Sequence, residues 1–156
     1  MDGDLEGARK FYLENLELTR RLGRGNWVRA ETLNLAAIDV IGGDPERALP
    51  RLRESLRLVR ESTDRYLAPY LLAWTARAAL ARHESALATR LLGAAHAQSQ
   101  RTGLAMDPDE EPEFTKGVSA CRSAPGPGEF QKSWDDGRRT SEEESLALAG
   151  RFLTDA

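Results

Sequence analysis

Three copies of one short pattern recur at intervals of 40 residues. Gly3-Asp4-Leu5-Glu6-Gly7-Ala8 is matched by Gly43-Asp44-Pro45-Glu46-Arg47-Ala48 and, in eroded form, by His83-Glu84-Ser85-Ala86-Leu87-Ala88. The register continues: Ala8, Ala48 and Ala88 are followed four residues later by Tyr12, Leu52 and Leu92, and Ala36 and Ala76 precede the last two copies at one offset. A fixed period of this length marks a stack of two-helix units, each burying its apolar face on its neighbours.

Local signals divide the repeats into helices. Residues 4–22 carry Leu5, Ala8, Phe11, Tyr12 and Leu16 near a 3.6-residue period, with Asp4 as N-cap and Gly23 as stop. A second helix is expected over 26–41, ending at Gly42-Gly43. Asp44-Pro45 restarts the chain as N-cap followed by proline at the first helical position, where a missing N–H costs nothing. That helix runs to about Glu61, and Pro50 inside it is expected to kink it or delay its start. Helices at 65–82 and 84–102 complete residues 1–103 as the repeat region. Ala36 faces Ala48, and Ala76 faces Ala88, where two helices of a hairpin must approach closely.

Residues 104–156 form a second region: an acidic linker and a short-helix tail packed on the last repeat. Met106-Asp107-Pro108-Asp109-Glu110-Glu111-Pro112 is the linker. A helix at 112–123 follows, ended by Ala124-Pro125-Gly126-Pro127-Gly128, and another at 129–137 places Phe130 and Trp134 on one face. Ser141-Glu142-Glu143-Glu144 is a capping box opening a last helix to about Phe152. The fold class is therefore all-α: a right-handed superhelix of antiparallel hairpins with a short helical C-terminal tail.

Charge and cysteine content restrict function. Residues 1–101 hold 16 basic and 13 acidic side chains, and 102–156 hold 6 and 12, so the two parts are complementary while the whole is −3. That balance gives no reason to expect direct nucleic-acid binding. No apolar run approaches the roughly 20 residues needed to span a bilayer. Met1-Asp2-Gly3-Asp4 is acidic where a signal peptide is basic and then apolar, so a cytoplasmic location is expected. A single cysteine, Cys121, excludes an internal disulfide.

Gly43-Asp44-x-x-x-Ala48, with Ala36 upstream and Leu52 and Ser55 downstream, resembles the tetratricopeptide repeat, lengthened from its usual 34 residues to about 40. Leu91-Leu92-Gly93-Ala94-Ala95, Arg101-Thr102-Gly103, the acidic linker, Gly128-Glu129-Phe130, Trp134, Asp136-Gly137-Arg138 and the helix from Glu142 follow one order. That order resembles the C-terminal region of actinobacterial signal-transduction ATPases and of LuxR-type and antibiotic-regulator-type transcription regulators. Relatives place an NTPase and a DNA-binding or cyclase domain before such repeats. This sequence has no Gly-x-x-x-x-Gly-Lys loop and no separate helix-turn-helix segment. Pro125-Gly126-Pro127 stands where relatives are alanine-rich and helical, so a short preceding helix is expected.

No constellation of catalytic type emerges, so no enzyme, cofactor or metal site is assigned. His83 and His96 lack a carboxylate or cysteine at ligand spacing; a turn position and a partly buried packing role account for them. Cys121 has no evident base to activate it. Arg47, Arg51, Arg53, Arg57 and Arg60 crowd one helix, and like charges at i, i+4 repel, so acidic groups are expected nearby.

What remains is binding. Tetratricopeptide geometry implies a groove lined by Leu33, Ala37 and Val40, then Tyr70, Ala73 and Arg77, suited to an amphipathic helix or extended peptide. The same residues serve equally as core covered by the tail. The first helix has no partner helix before it, which leaves Ala8, Phe11, Tyr12 and Leu16 as a self-association or upstream-domain face. The expected function is a non-enzymatic protein-interaction or scaffold module of a bacterial signalling or transcriptional regulator. The alternative is a small-molecule sensor that closes its groove on an apolar ligand or peptide.

Overall fold

The computed structural model describes residues 4–103, 106–124 and 127–155, and among them the chain is entirely helical, without a strand. It divides into two compact units, residues 1–67 and 68–156. The 103/104 boundary between repeats and tail thus lies inside the second unit.

The first unit contains α1 (Leu5–Arg21), α2 (Gly25–Ile41) and α3 (Pro45–Glu61). Asp4 Oδ1 accepts the Gly7 N–H at 2.8 Å, and Asp44 Oδ1 accepts the Arg47 N–H at 3.1 Å, so both copies of the Gly-Asp pattern are helix caps. Helix α2 lies between α1 and α3 and is buried on two sides; α1 and α3 each bury one stripe against it. The stripes share one register. Ala8, Arg9, Tyr12, Asn15, Leu16 and Thr19 of α1 are buried or half-buried, and Ala48, Leu49, Leu52, Ser55, Leu56 and Val59, each 40 positions on, are the buried side chains of α3. Pro50 neither breaks α3 nor delays its start. It sits on the exposed flank, and the helix runs unbroken from Pro45.

The second unit contains α4 (Ala68–Ala81), α5 (Ser85–Thr102), α6 (Glu111–Ser123), α7 (Pro127–Arg139) and α8 (Glu142–Asp155). Helix α4 begins three residues later than its pattern predicts. Ser62 Oγ accepts the Asp64 N–H and Asp64 Oδ1 accepts the Tyr66 N–H, each at 3.0 Å. These local turns hold the backbone out of the helix until Pro69 sits in the first turn of α4. Helix α4 then packs against α5, α6 and α8, which is why eleven of its side chains, Ala68 to Ala76 together with Ala78 and Ala79, are buried. Ala36, Ala48, Ala76 and Ala88 are all fully buried within their hairpins.

Left-handed residues mark the helix ends. Gly43 leaves α2 with φ +81°, and His83 takes the same conformation, φ +63°, where the earlier copies have glycine. In the tail, the capping box forms as expected: Ser141 Oγ accepts the Glu144 N–H at 3.2 Å and Glu144 accepts the Ser141 N–H at 2.8 Å. Helix α6 ends at Ser123; Pro125 and Gly126 of the expected break lie outside the described residues. Helix α7 lies along α5 at unusually short range. A Cβ on Gly93 would stand 2.4 Å from the Trp134 carbonyl oxygen, and one on Gly137 would stand 2.0 Å from that of Arg90. The buried Gln98 amide donates to Ser145 Oγ at 2.7 Å and ties α5 to α8.

Candidate functional site

The six groove residues fall in different units: Leu33, Ala37 and Val40 in the first, Tyr70, Ala73 and Arg77 in the second. Leu33 and Ala37 are buried and Val40 is half-buried. Tyr70, Ala73 and Arg77 come together along α4 and are engaged by the linker and α6. Tyr70 Oη accepts the Asp107 N–H at 3.2 Å, and Arg77 Nη1 donates to the Glu113 carbonyl at 2.8 Å and to its carboxylate at 3.0 Å. Burial disfavours the Glu113 carboxylate, but Lys116 and Arg77 outweigh it and hold that carboxyl below its usual range. Glu110 goes the other way: burial pushes its carboxyl up against the hydrogen bond from Trp74, and Asp107, Glu113 and Asp109 add to the rise. The space left among Ala73, Trp74, Arg77, Glu110, Glu113 and Phe114 is only about 10 Å³. A peptide does not fit there beside α6.

On α1 the expected face divides. Leu16 is buried, and Ala8 and Tyr12 are half-buried on the stripe that meets α2, because positions i, i+4 and i+8 share one side of a helix. Phe11 points away from that stripe. It shares the adjacent flank, about a quarter-turn from the stripe, with Leu18 and Leu22, at i+7 and i+11, and the three are 57%, 46% and 59% exposed. Trp27, just beyond the turn into α2, is 56% exposed. The sequence reading missed Leu18 and Leu22 as members of this face; their spacing from Phe11 was the available signal.

Beneath α1 lies a cluster of charge. Asp39, 3% exposed, receives Arg9 Nη1 on Oδ1 and Arg51 Nη1 on Oδ2, the latter at 2.7 Å, with Arg47 Nε 3.6 Å from Oδ1. One buried carboxylate therefore relieves the repulsion between Arg47 and Arg51. Arg57 is held between Glu54 and Glu61 of its own helix, and the hydrogen bond to Glu54, then that to Glu61, raises its pKa. Glu113, in the first turn of α6, pairs with Arg77 and Lys116.

His96 stands in an aromatic group of the second unit. Its ring lies 5.5 Å from Trp134 and 6.4 Å from Phe114, and Trp134 stacks on Phe130 at 5.8 Å. Burial, and secondarily Arg138, holds the imidazole below its usual pKa, so it is neutral at pH 7. A cavity of about 540 Å³ opens beside it. His83 is exposed at its turn. Cys121 is fully buried, and burial pushes its thiol up against the hydrogen bond with Thr89, which keeps it protonated and unreactive.

Among the described residues, no three His, Cys, Asp or Glu side chains converge to hold a metal ion, and no helix is long and apolar enough to cross a membrane. Comparison of the chain with family models, curated proteins and solved structures returns no match.

Proposed function

We propose that this chain is a non-enzymatic interaction module, a tetratricopeptide-like right-handed array of hairpins, that accepts a helix of another polypeptide on the outer face of α1. The carrying observation is the exposed row Phe11, Leu18 and Leu22, with Trp27 beyond the turn. Four large apolar side chains, each about half or more exposed, exceed the single scattered ones expected on a surface.

The repeat register supports a helix as the occupant. Moving Phe11 and Leu18 forward by 80 positions gives Leu91 and Gln98 of α5, both buried in the second unit. There Gln98 meets α8. This side of α1 is thus the counterpart of a side that α5 covers with a helix. Phe11 and Leu18 keep the incoming helix at side-chain distance, where an amphipathic helix docks through leucine-like anchors. The bacterial regulatory setting rests on the resemblance of the tail.

Light scattering of the purified chain, together with titration of leucine-rich amphipathic helical peptides, tests this reading. The expected result is self-association or peptide binding that Phe11→Glu with Leu18→Glu abolishes while helical content is unchanged. A particle of one chain at every concentration, which also binds none of the peptides, would overturn it.

A further inference from the structure

Two cavities of the second unit meet on the outer edge of α5. The first, about 540 Å³, is lined by His96, Ser99, Gln100, Met106, Glu111 and Phe114 among others. The second, about 490 Å³, is lined by Gln100, Arg101, Asp135, Arg138 and Arg139 among others. Gln100 belongs to both. On α5 the lining positions 96, 99, 100 and 103 form one stripe, and 97 and 101 form the next, so the cavities are neighbours on adjacent faces of one helix.

We propose that these cavities act as one site for a small aromatic carboxylate or similar anion, its flat apolar body against His96 and Phe114 and its charge toward Arg101 and Arg138. The two halves differ as such a ligand requires. His96 and Phe114 are nearly parallel, with an interplanar angle of 22°, and Met106 adds an adaptable apolar wall. The imidazole is uncharged at neutral pH, which suits stacking rather than ion pairing. On the other side, among the described residues, neither Arg101 nor Arg138 has an acidic partner, while Arg139 lies 3.7 Å from Asp136 and Asp135 accepts the Gln131 amide. Glu111 on the lip of the apolar cavity repels an anion from that end and fixes the ligand's direction. Each cavity has the size of a small-molecule pocket, the first mostly apolar and the second mostly polar in its lining. The site is independent of the α1 face.

Calorimetric titration of the full chain with 2-naphthoate tests the proposal, with 2-naphthamide and inorganic phosphate as controls. The expected result is one saturable site, weakened at least roughly tenfold when the acid is replaced by the amide, or when Arg101→Gln and Arg138→Gln are combined. Phe114→Ala weakens binding too, whereas Phe11→Glu leaves it unchanged. Equal affinity for acid and amide, equal affinity for phosphate alone, indifference to the double arginine replacement, sensitivity to Phe11→Glu, or absence of saturation would each overturn the proposal. Circular dichroism confirms that each variant is folded; both arginines are exposed, so their replacement leaves the packing intact.

Discussion

Gly93 of α5 and Gly137 of α7 bring two helices together backbone to backbone, each glycine facing a carbonyl oxygen of the opposite helix. Any Cβ at these positions lands 2.0–2.4 Å from that oxygen, and no side chain can swing away to make room. Gly137→Ala is therefore expected to destabilise the chain by about 3 kcal/mol, and Gly93→Ala by about 2 kcal/mol, as overpacking that forces the helices apart. Gly25→Ala is the control, because nothing lies within 4 Å of the added methyl group and its φ is ordinary. Urea denaturation ranks the three; equal stability of Gly137→Ala and the parent would refute the close contact.

Asp39 anchors the first unit by a different means. Its carboxylate is nearly inaccessible and gathers Arg9, Arg47 and Arg51 from α1 and α3 around α2. Asp39→Ala leaves Arg9, itself almost fully buried, without its counter-charge, and is expected to cost about 3–5 kcal/mol. Combining Asp39→Leu with Arg9→Met removes both charges and should recover much of that loss. Thermal denaturation of the single and double variants distinguishes a buried ion pair from lost packing, since packing loss alone would make the effects additive.

These two contacts show where the sequence stopped being readable. Asp4, Asp44-Pro45 and Ser141–Glu144 were legible because a cap is complete within four residues, and the 40-residue period was legible because identical environments recur. The partner of Arg9 lies 30 positions away and that of Arg51 lies 12 away, and no local pattern encodes which carboxylate they share. Gly93 and Gly137 both stood out in the ordered motif of the tail, yet only the packed helices show that each replaces a clash. On α1, the expected open face of Ala8, Phe11, Tyr12 and Leu16 mixed the stripe that meets α2 with the outward row of Phe11, Leu18 and Leu22, and only helix α2 in place separates the two. The late start of α4 reflects competition between helix periodicity and the turns at Ser62 and Asp64, which periodicity alone does not weigh.

His83 carries the cost of the eroded third copy. A side chain with φ +63° is strained by its Cβ, and glycine stood at this place in the other copies. His83→Gly is expected to stabilise the chain by about 1 kcal/mol in spite of glycine's larger unfolded-state entropy. His83→Val should destabilise it, because β-branching worsens the same conformation. A melting temperature that is unchanged in both would argue against the left-handed turn.

Arg77 fastens α6 to α4 through two acceptors of Glu113, and Gly117 lets α6 pass close, with a Cβ there only 3.0 Å from Arg77 Cδ. Arg77→Ala is expected to weaken that attachment by about 1.5–3 kcal/mol, since the lost bonds are charge-assisted and mostly shielded from water. Hydrogen exchange should then quicken at the amides of residues 107–117 while those of α5 remain protected. Uniform acceleration throughout the second unit would mean that Arg77 supports the whole core instead.

Glu31 gives the first unit a pH dependence of definite sign. Its side chain is buried on α2, Oε2 has no hydrogen-bond partner, and burial raises its carboxyl above the usual value despite hydrogen bonds with Asn34 and Asn15. A carboxyl raised in the folded state contributes most below its unfolded pKa of about 4.3, and that contribution is lost as pH rises through the folded value. Glu31→Gln keeps the shape and the amide oxygen that Asn15 and Asn34 can address, but stays neutral at every pH. The variant should therefore match the parent at about pH 4, gain on it as pH rises, and hold a constant advantage once Glu31 is fully ionised. Urea denaturation from about pH 4 to 8 measures the gap between the two, and a gap that does not change with pH would show that Glu31 is solvated and carries no burial penalty.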